Sequence, residues 1–218
     1  GQFRTPRHII RMMVKMLDPH PGERVCDPAA GTCGFPVNAW QHILETHTDP
    51  RDLTYDDEGY PHGVTGAKLS QEQWKFCQEK GFTAFDSDSG MTMLRIGSMN
   101  LMLHGIAAPN FRYTDTLSKA FTEERVYDVV LANPPFKGAI DAADVNPTLP
   151  VKCKKTESSS YISSCVCLRM AAVLQSSFPM ASSLAHLTPT LRFARNSSRK
   201  IVWKVSSRCP LASSAPTP

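Results

Sequence analysis

Apolar residues recur at helical spacing from Ile9 and Ile10 through Met13 and Val14 to Leu17, which predicts a first helix with one buried face. Thr5 and Pro6 have the chemistry of an N-cap and a first-turn proline, and Asp18-Pro19 with Pro21-Gly22 ends the helix. A short strand is predicted over residues 24–27, then a turn of small residues, then a helix over 35–47. The polar stretch 49–66 reads as a loop. Residues 70–80 form an amphipathic helix with Trp74 and Cys77 on one side, and Gly81 closes it. A strand follows over 82–86, a long helix over 92–104, and a strand over 111–114 leading to Asp115. Residues 126–132 are nearly all apolar, as in a strand buried on both faces of a parallel sheet. This alternation predicts an α/β fold, an open doubly wound Rossmann-like sheet with ligands at the carboxyl ends of its strands. No internal repeat is present.

Composition divides the 218-residue chain. Residues 1–157 hold all 12 Gly, all 20 Asp+Glu and 17 of the Lys+Arg, a net charge of −3; the last 61 residues hold 15 Ser, 7 Lys+Arg and no Gly, Asp or Glu. Average usage would place roughly four Gly and about seven acids in that length. Disordered basic tails usually lack the Val, Leu, Ile, Phe, Trp and Cys found here. A change of reading frame near residues 157–160 accounts for both losses. In the neighbouring frame the genetic code forces Gly at Met170-Ala171 and at Met180-Ala181, and Glu at Trp203-Lys204. The expected organisation is a truncated domain over 1–157 and an irregular tail over 158–218 with no fold of its own. The overall +4 charge therefore says little about a nucleic-acid partner, since the tail supplies the excess. Four of the seven Cys lie at or beyond Cys153, and their spacing suits reduced thiols better than a disulfide framework. No apolar run approaches the roughly 18–20 residues that span a bilayer, and no signal-peptide pattern is present, so a cytoplasmic protein without a membrane partner is expected. The chain opens on Gly1 with a helix start already under way, the expectation being a piece of a longer protein.

Three strand ends carry candidate chemistry. Asp27 opens the run Asp-Pro-Ala-Ala-Gly-Thr-Cys-Gly-Phe, where Ala29, Gly31, Thr32 and Gly34 let the backbone approach a ligand and Asp27 can anchor an amino group or orient the loop. The run is neither the G-x-G-x-x-G dinucleotide fingerprint nor a phosphate loop ending in Lys-Ser/Thr, so a nucleoside without a cradled phosphate fits better. Asp86 ends a strand where a carboxylate can accept both hydroxyls of a ribose; acids there are also often helix caps, and Asp115 shares that ambiguity. Asn133-Pro134-Pro135-Phe136 is the sharpest signal. Two prolines fix the backbone and leave carbonyls that only accept. The Asn oxygen and a Pro carbonyl can take both hydrogens of a planar amine and aim its lone pair, while Phe136 offers a face for stacking.

Residues 1–157 resemble the modification subunits of type I restriction-modification systems, S-adenosylmethionine-dependent adenine-specific DNA methyltransferases. Gly1-Gln2-Phe3-Arg4-Thr5-Pro6-Arg7 is similar to the family's amino-terminal motif, which implies that Gln2, Phe3, Arg4, Thr5, Pro6 and Arg7 help hold the methionine part of S-adenosylmethionine. The run from Asp27 to Phe35 resembles its cofactor loop, Asp86 the acid that holds the ribose, Asp115 an acid near the cofactor's adenine, and Asn133 to Phe136 its catalytic tetrapeptide. Cys33 stands where the family usually has Gly. The frame-shifted tail also reads like the family's continuation.

The resemblance implies methyl transfer to the 6-amino group of an adenine flipped out of duplex DNA, with a specificity subunit and a restriction subunit as further partners. No metal is expected, since Cys165-Val166-Cys167 is too closely spaced for a usual zinc pair. The same tetrapeptide chemistry serves methylation of RNA or of protein glutamine. A non-catalytic remnant that binds cofactor or a partner is a further reading, and a dinucleotide-dependent oxidoreductase is disfavoured by the missing fingerprint.

Overall fold

The structure is a computed structural model that describes residues 5–87, 91–123, 126–133, 193–196 and 199–202. Helix α1, Arg7–Leu17, buries Ile10, Met13, Val14 and Leu17 on the face that the spacing predicts. Its N-cap is Pro6, whose carbonyl accepts from the N–H groups of Ile9 and Ile10, and no side chain caps it. The expectation that Thr5 caps this helix is therefore corrected: the helix starts one residue later, and the Thr5 hydroxyl bonds elsewhere. Strand β1, Val25–Asp27, is buried throughout and leads through the small-residue turn into helix α2, Gly34–Thr46. The loop expectation for 49–66 missed a two-residue hairpin, β2 (Thr54–Tyr55) against β3 (Pro61–His62). Asp56 closes its turn by accepting from the N–H groups of Glu58 and Tyr60, with Gly59 at φ 76°.

Helix α3, Gln71–Glu79, begins with a reciprocal capping box: the Ser70 hydroxyl accepts from the Gln73 N–H, and the Gln73 side chain accepts from the Ser70 N–H. Strand β4 is Phe82–Asp86, helix α4 is Thr92–Leu103 and strand β5 is Asn110–Tyr113. Strand β6, Val129–Leu131, is shorter than its apolar run. Its ladder partners set the limit: β1 pairs with it at Val25↔Val129 and Cys26↔Val130, and the later strand Arg199–Val202 carries the pairing on to Leu131. Just before it, Asp128 accepts from the Arg24 N–H, and its own N–H donates to the Arg24 carbonyl.

Strands β7 (Phe193–Asn196) and β8 (Arg199–Val202) form an antiparallel pair, and β8 lies parallel to β6. β8 thus covers the edge of β6 that faces away from β1.

The resulting sheet has the order β5-β4-β1-β6-β8-β7, parallel except for the β7–β8 pair. From β1 the chain builds outward through β4 to β5, then returns to place β6 on the other side of β1. That reversal makes a switch point between β1 and β6, where open α/β sheets bind ligands at the strand carboxyl ends. Trp40 of α2 anchors the core on one side: its ring meets Trp74 and Phe82 edge-on at 5.2 and 6.0 Å, and its indole N–H donates to the His104 carbonyl.

Candidate active site at the strand switch point

Asp27, Asp86 and Asn133 end or follow β1, β4 and β6, three neighbouring parallel strands. Parallel pairing aligns those ends, so residues 59 and 106 positions beyond Asp27 share its edge of the sheet.

The loop after β1 is tied down from both sides. The Ala30 N–H donates to the Phe85 carbonyl, and the Gly31 N–H donates to Asp86 Oδ2 at 2.8 Å. The Pro28 carbonyl accepts from the buried Thr116 hydroxyl, and the Thr32 carbonyl accepts from Asn100 Nδ2 at 2.7 Å. Gly31 has φ +52°, and a Cβ there would meet nothing within 4 Å, so the backbone is bare on that side. Gly34 starts α2, and a Cβ there would sit 3.0 Å from Ile10 Cδ1, which keeps α1 close against the loop.

Cys33 has a left-handed backbone at φ 60°, a conformation that suits glycine better than a residue with a β-carbon. Its thiol is fully buried. Burial, together with the nearby charges of Asp27 and Asp86, pushes its pKa well up, so it stays protonated. Across from it, a Cβ on Gly97 would come within 2.5 Å of Phe111 Cε1, 2.7 Å of Cys33 Sγ and 3.0 Å of the Gly31 carbonyl. Sequence reasoning missed Gly97, Asn100 and Thr116. A glycine inside a helix is unfavourable and demands a packing reason, which was the available signal for Gly97.

Asp27 is 1% exposed, and its Oδ1 accepts from the Ala29 N–H at 3.1 Å. Burial pushes its pKa up to about 8; the Ala29 bond opposes this and the charge of Asp86 adds to it. Such an acid calls for a hydrogen-bonding or cationic partner. Asp86 is half-buried and already holds the loop through one oxygen. Asp115 lies beyond β5, exposed, and its Oδ1 accepts from the Leu117 N–H, so its carboxylate serves a local turn.

Asn133 Nδ2 donates to the Thr5 hydroxyl at 2.7 Å. The structure thus joins two candidates 128 residues apart. Pro6 and Arg7 follow at the exposed start of α1. Gln2, Phe3, Arg4, Pro134, Pro135 and Phe136 lie outside the described residues.

A parallel sheet with a small-residue loop and two carboxylates beside its switch point defines a doubly wound, Rossmann-like α/β protein with a ligand site at that edge. Residues 1–160 match the model of the N-6 DNA methylase family. The chain belongs to that family, whose chemistry implies a methyl donor. The type I restriction enzyme EcoEI methylase subunit of Escherichia coli is 29% identical over 162 residues, which cover 73% of this chain and 28% of that relative. The StySPI methylase subunit of Salmonella potsdam is 31% identical over 157 residues, covering 68% and 26%. The crystal structure of the EcoKI M protein aligns with a TM-score of 0.49 at 27% identity, covering 62% of this chain and 25% of that one. The chain spans about a quarter of the length of these relatives.

Proposed function

We propose that residues 1–157 are the cofactor-binding and catalytic part of an adenine-specific DNA methyltransferase of a type I restriction-modification system. The methyl donor is S-adenosylmethionine and the acceptor is the 6-amino group of an adenine flipped out of duplex DNA. The observation that carries the reading is the placement of Asn133 beside Asp27 at the switch point, with its amide bonded to Thr5.

The residues present fit a nucleoside donor. Gly31 offers bare backbone, Asp27 is a buried acid that a polar or cationic group would relieve, and Asp86 stands at the next strand end. S-adenosylmethionine supplies an electrophilic methyl group on a sulfonium. In this reading Asp86 bonds the ribose hydroxyls, and Asp27 orders the loop and faces an amino group. Thr5 and the residues before it border the methionine part, and Asp115 borders the adenine. The Asn133 oxygen and the Pro134 carbonyl accept the two hydrogens of the target amine. They hold its nitrogen in line for attack and stabilise the positive charge that develops there. Phe136 stacks on the flipped base. Rate then comes from position and electrostatics, with no covalent enzyme intermediate.

Relatives named as type I restriction enzyme methylase subunits support DNA as substrate; a specificity subunit and a restriction subunit are the partners this reading implies. Among the described residues no helix is long and apolar enough to cross a membrane; this reading puts the protein at work on DNA in the cytoplasm. Incubating the chain with radiolabelled methyl donor and DNA, RNA or protein tests the reading. Label is expected in DNA, as N6-methyladenine, and is lost with Asn133→Ala.

The family match ends at residue 160, where the composition also breaks. This favours a second reading, that the tail over 158–218 arises from a shifted frame and the chain binds cofactor without transferring methyl. Heat of cofactor binding with no transfer to any acceptor would support it.

A further inference from the structure

We propose that Thr5 is a positioning residue for Asn133, holding its side-chain amide in place with Oδ1 turned away from Thr5. This rests on the reading of Asn133 as an acceptor for the target amine.

The local sequence offers Thr5 a different task, since a threonine before a proline-led helix is a natural cap. Yet α1 has no side-chain cap, and the Thr5 hydroxyl lies 2.7 Å from Asn133 Nδ2. Thr5 is held firmly. A residue before proline is confined to extended backbone, its own β-branch restricts χ1, and α1 beyond it is seated on the core through Ile10, Met13, Val14 and Leu17. Asn133 sits two residues beyond β6.

The amide is planar, and its oxygen and nitrogen branch from one carbon. With Nδ2 donating to Thr5, Oδ1 is turned away from Thr5. The reversed orientation, with the hydroxyl donating to Oδ1, would present an N–H to an amine that itself needs acceptors. Donor would then meet donor. An anchored amide therefore keeps the acceptor presented before the base arrives, which is pre-organisation of the kind that supports catalysis.

The test uses the full chain with Thr5→Val, which removes the hydroxyl at nearly constant shape, and Thr5→Ser, which keeps it. In ¹⁵N-labelled protein, one Asn133 side-chain amide proton should exchange slowly with solvent in the wild type and in Thr5→Ser. In Thr5→Val that protection should be lost. Protection unchanged in Thr5→Val overturns the proposal. In methyl-transfer kinetics, Thr5→Val should lower kcat on the order of 100-fold with KM for the methyl donor held within about twofold, and Thr5→Ser should restore most of the rate. A raised KM with unchanged kcat would overturn the proposal by assigning Thr5 to the donor alone. A wild-type chain that methylates no acceptor would instead count against the proposed function, and the amide exchange would still decide whether Thr5 holds Asn133.

Discussion

The Gly31 N–H donates to Asp86 Oδ2 at 2.8 Å, so the acid at the end of β4 holds the loop that follows β1. One carboxylate is thereby given two tasks in the proposed site: one oxygen shapes the loop, and the group as a whole faces the ribose. Asp86→Ala should cost about 1.5–3 kcal/mol of stability, the range for a hydrogen bond to a charged group, and should weaken donor binding more than tenfold. Urea midpoints and calorimetry separate the two effects. An unchanged midpoint would mean that the loop keeps its shape without Asp86.

Asp27 makes stability depend on pH. An acid whose folded pKa lies above its unfolded value binds its proton more tightly in the folded chain. Folding stability then falls as pH rises from 3.8 to about 8 and is level above that. Asp27→Asn cannot ionise and keeps an acceptor for the Ala29 N–H. It should match the wild type near the lower end of that window and exceed it by a few kcal/mol at the upper end. Urea midpoints across the window check this; parallel curves for the two proteins would refute it.

Gly97 and Cys33 face each other across the loop. Alanine normally stabilises a helix interior by about 0.5–1 kcal/mol over glycine. Here the new Cβ would strike Phe111, Cys33 Sγ and the Gly31 carbonyl, so Gly97→Ala should destabilise by about 1–3 kcal/mol. Cys33→Gly removes one of those three atoms and relaxes the left-handed backbone. It should therefore recover part of the loss, giving a coupling of about 0.5–1 kcal/mol in a double-mutant cycle of denaturation midpoints. Strict additivity would contradict the contact.

Cys26, Cys33 and Cys77 are buried. Burial raises the Cys77 thiol to about 11 and the Cys33 thiol further, so neither is a thiolate at neutral pH. Both should resist alkylation in the folded chain and react once urea unfolds it. Fast labelling of Cys33 in the native protein, read by mass spectrometry, would show that the loop opens.

Much of this fold was legible because its signals are local. The Ile10-Met13-Val14-Leu17 stripe, the helix over 70–80 closed by Gly81 and the acid-terminated strand 82–86 each declare an element within a few residues. What was missed depends on distant partners. Thr5 looks like a cap by its neighbours and bonds instead to Asn133, and β6 ends where its ladder with β8 stops rather than where its apolar run stops. The β2–β3 hairpin is too short to show a period. At the candidate site, the residues that touch the loop from other elements, Gly97, Asn100 and Thr116, carry no motif of their own.

The coding DNA across codons 150–165 tests the reading of the tail. A single insertion or deletion that restores Gly and acidic residues downstream is expected. Stop codons in the neighbouring frame would sink it.

The central claim is that the β1–β6 switch point holds a nucleoside methyl donor, and calorimetric titration of S-adenosylmethionine into the full chain addresses it without needing an acceptor. The expected result is one site per chain with Kd of roughly 1 μM to 1 mM, the span common for enzyme substrates, lost in Asp86→Ala and retained in Asn133→Ala, with no heat from NAD. Absence of binding, or equal binding of NAD, would contradict the account.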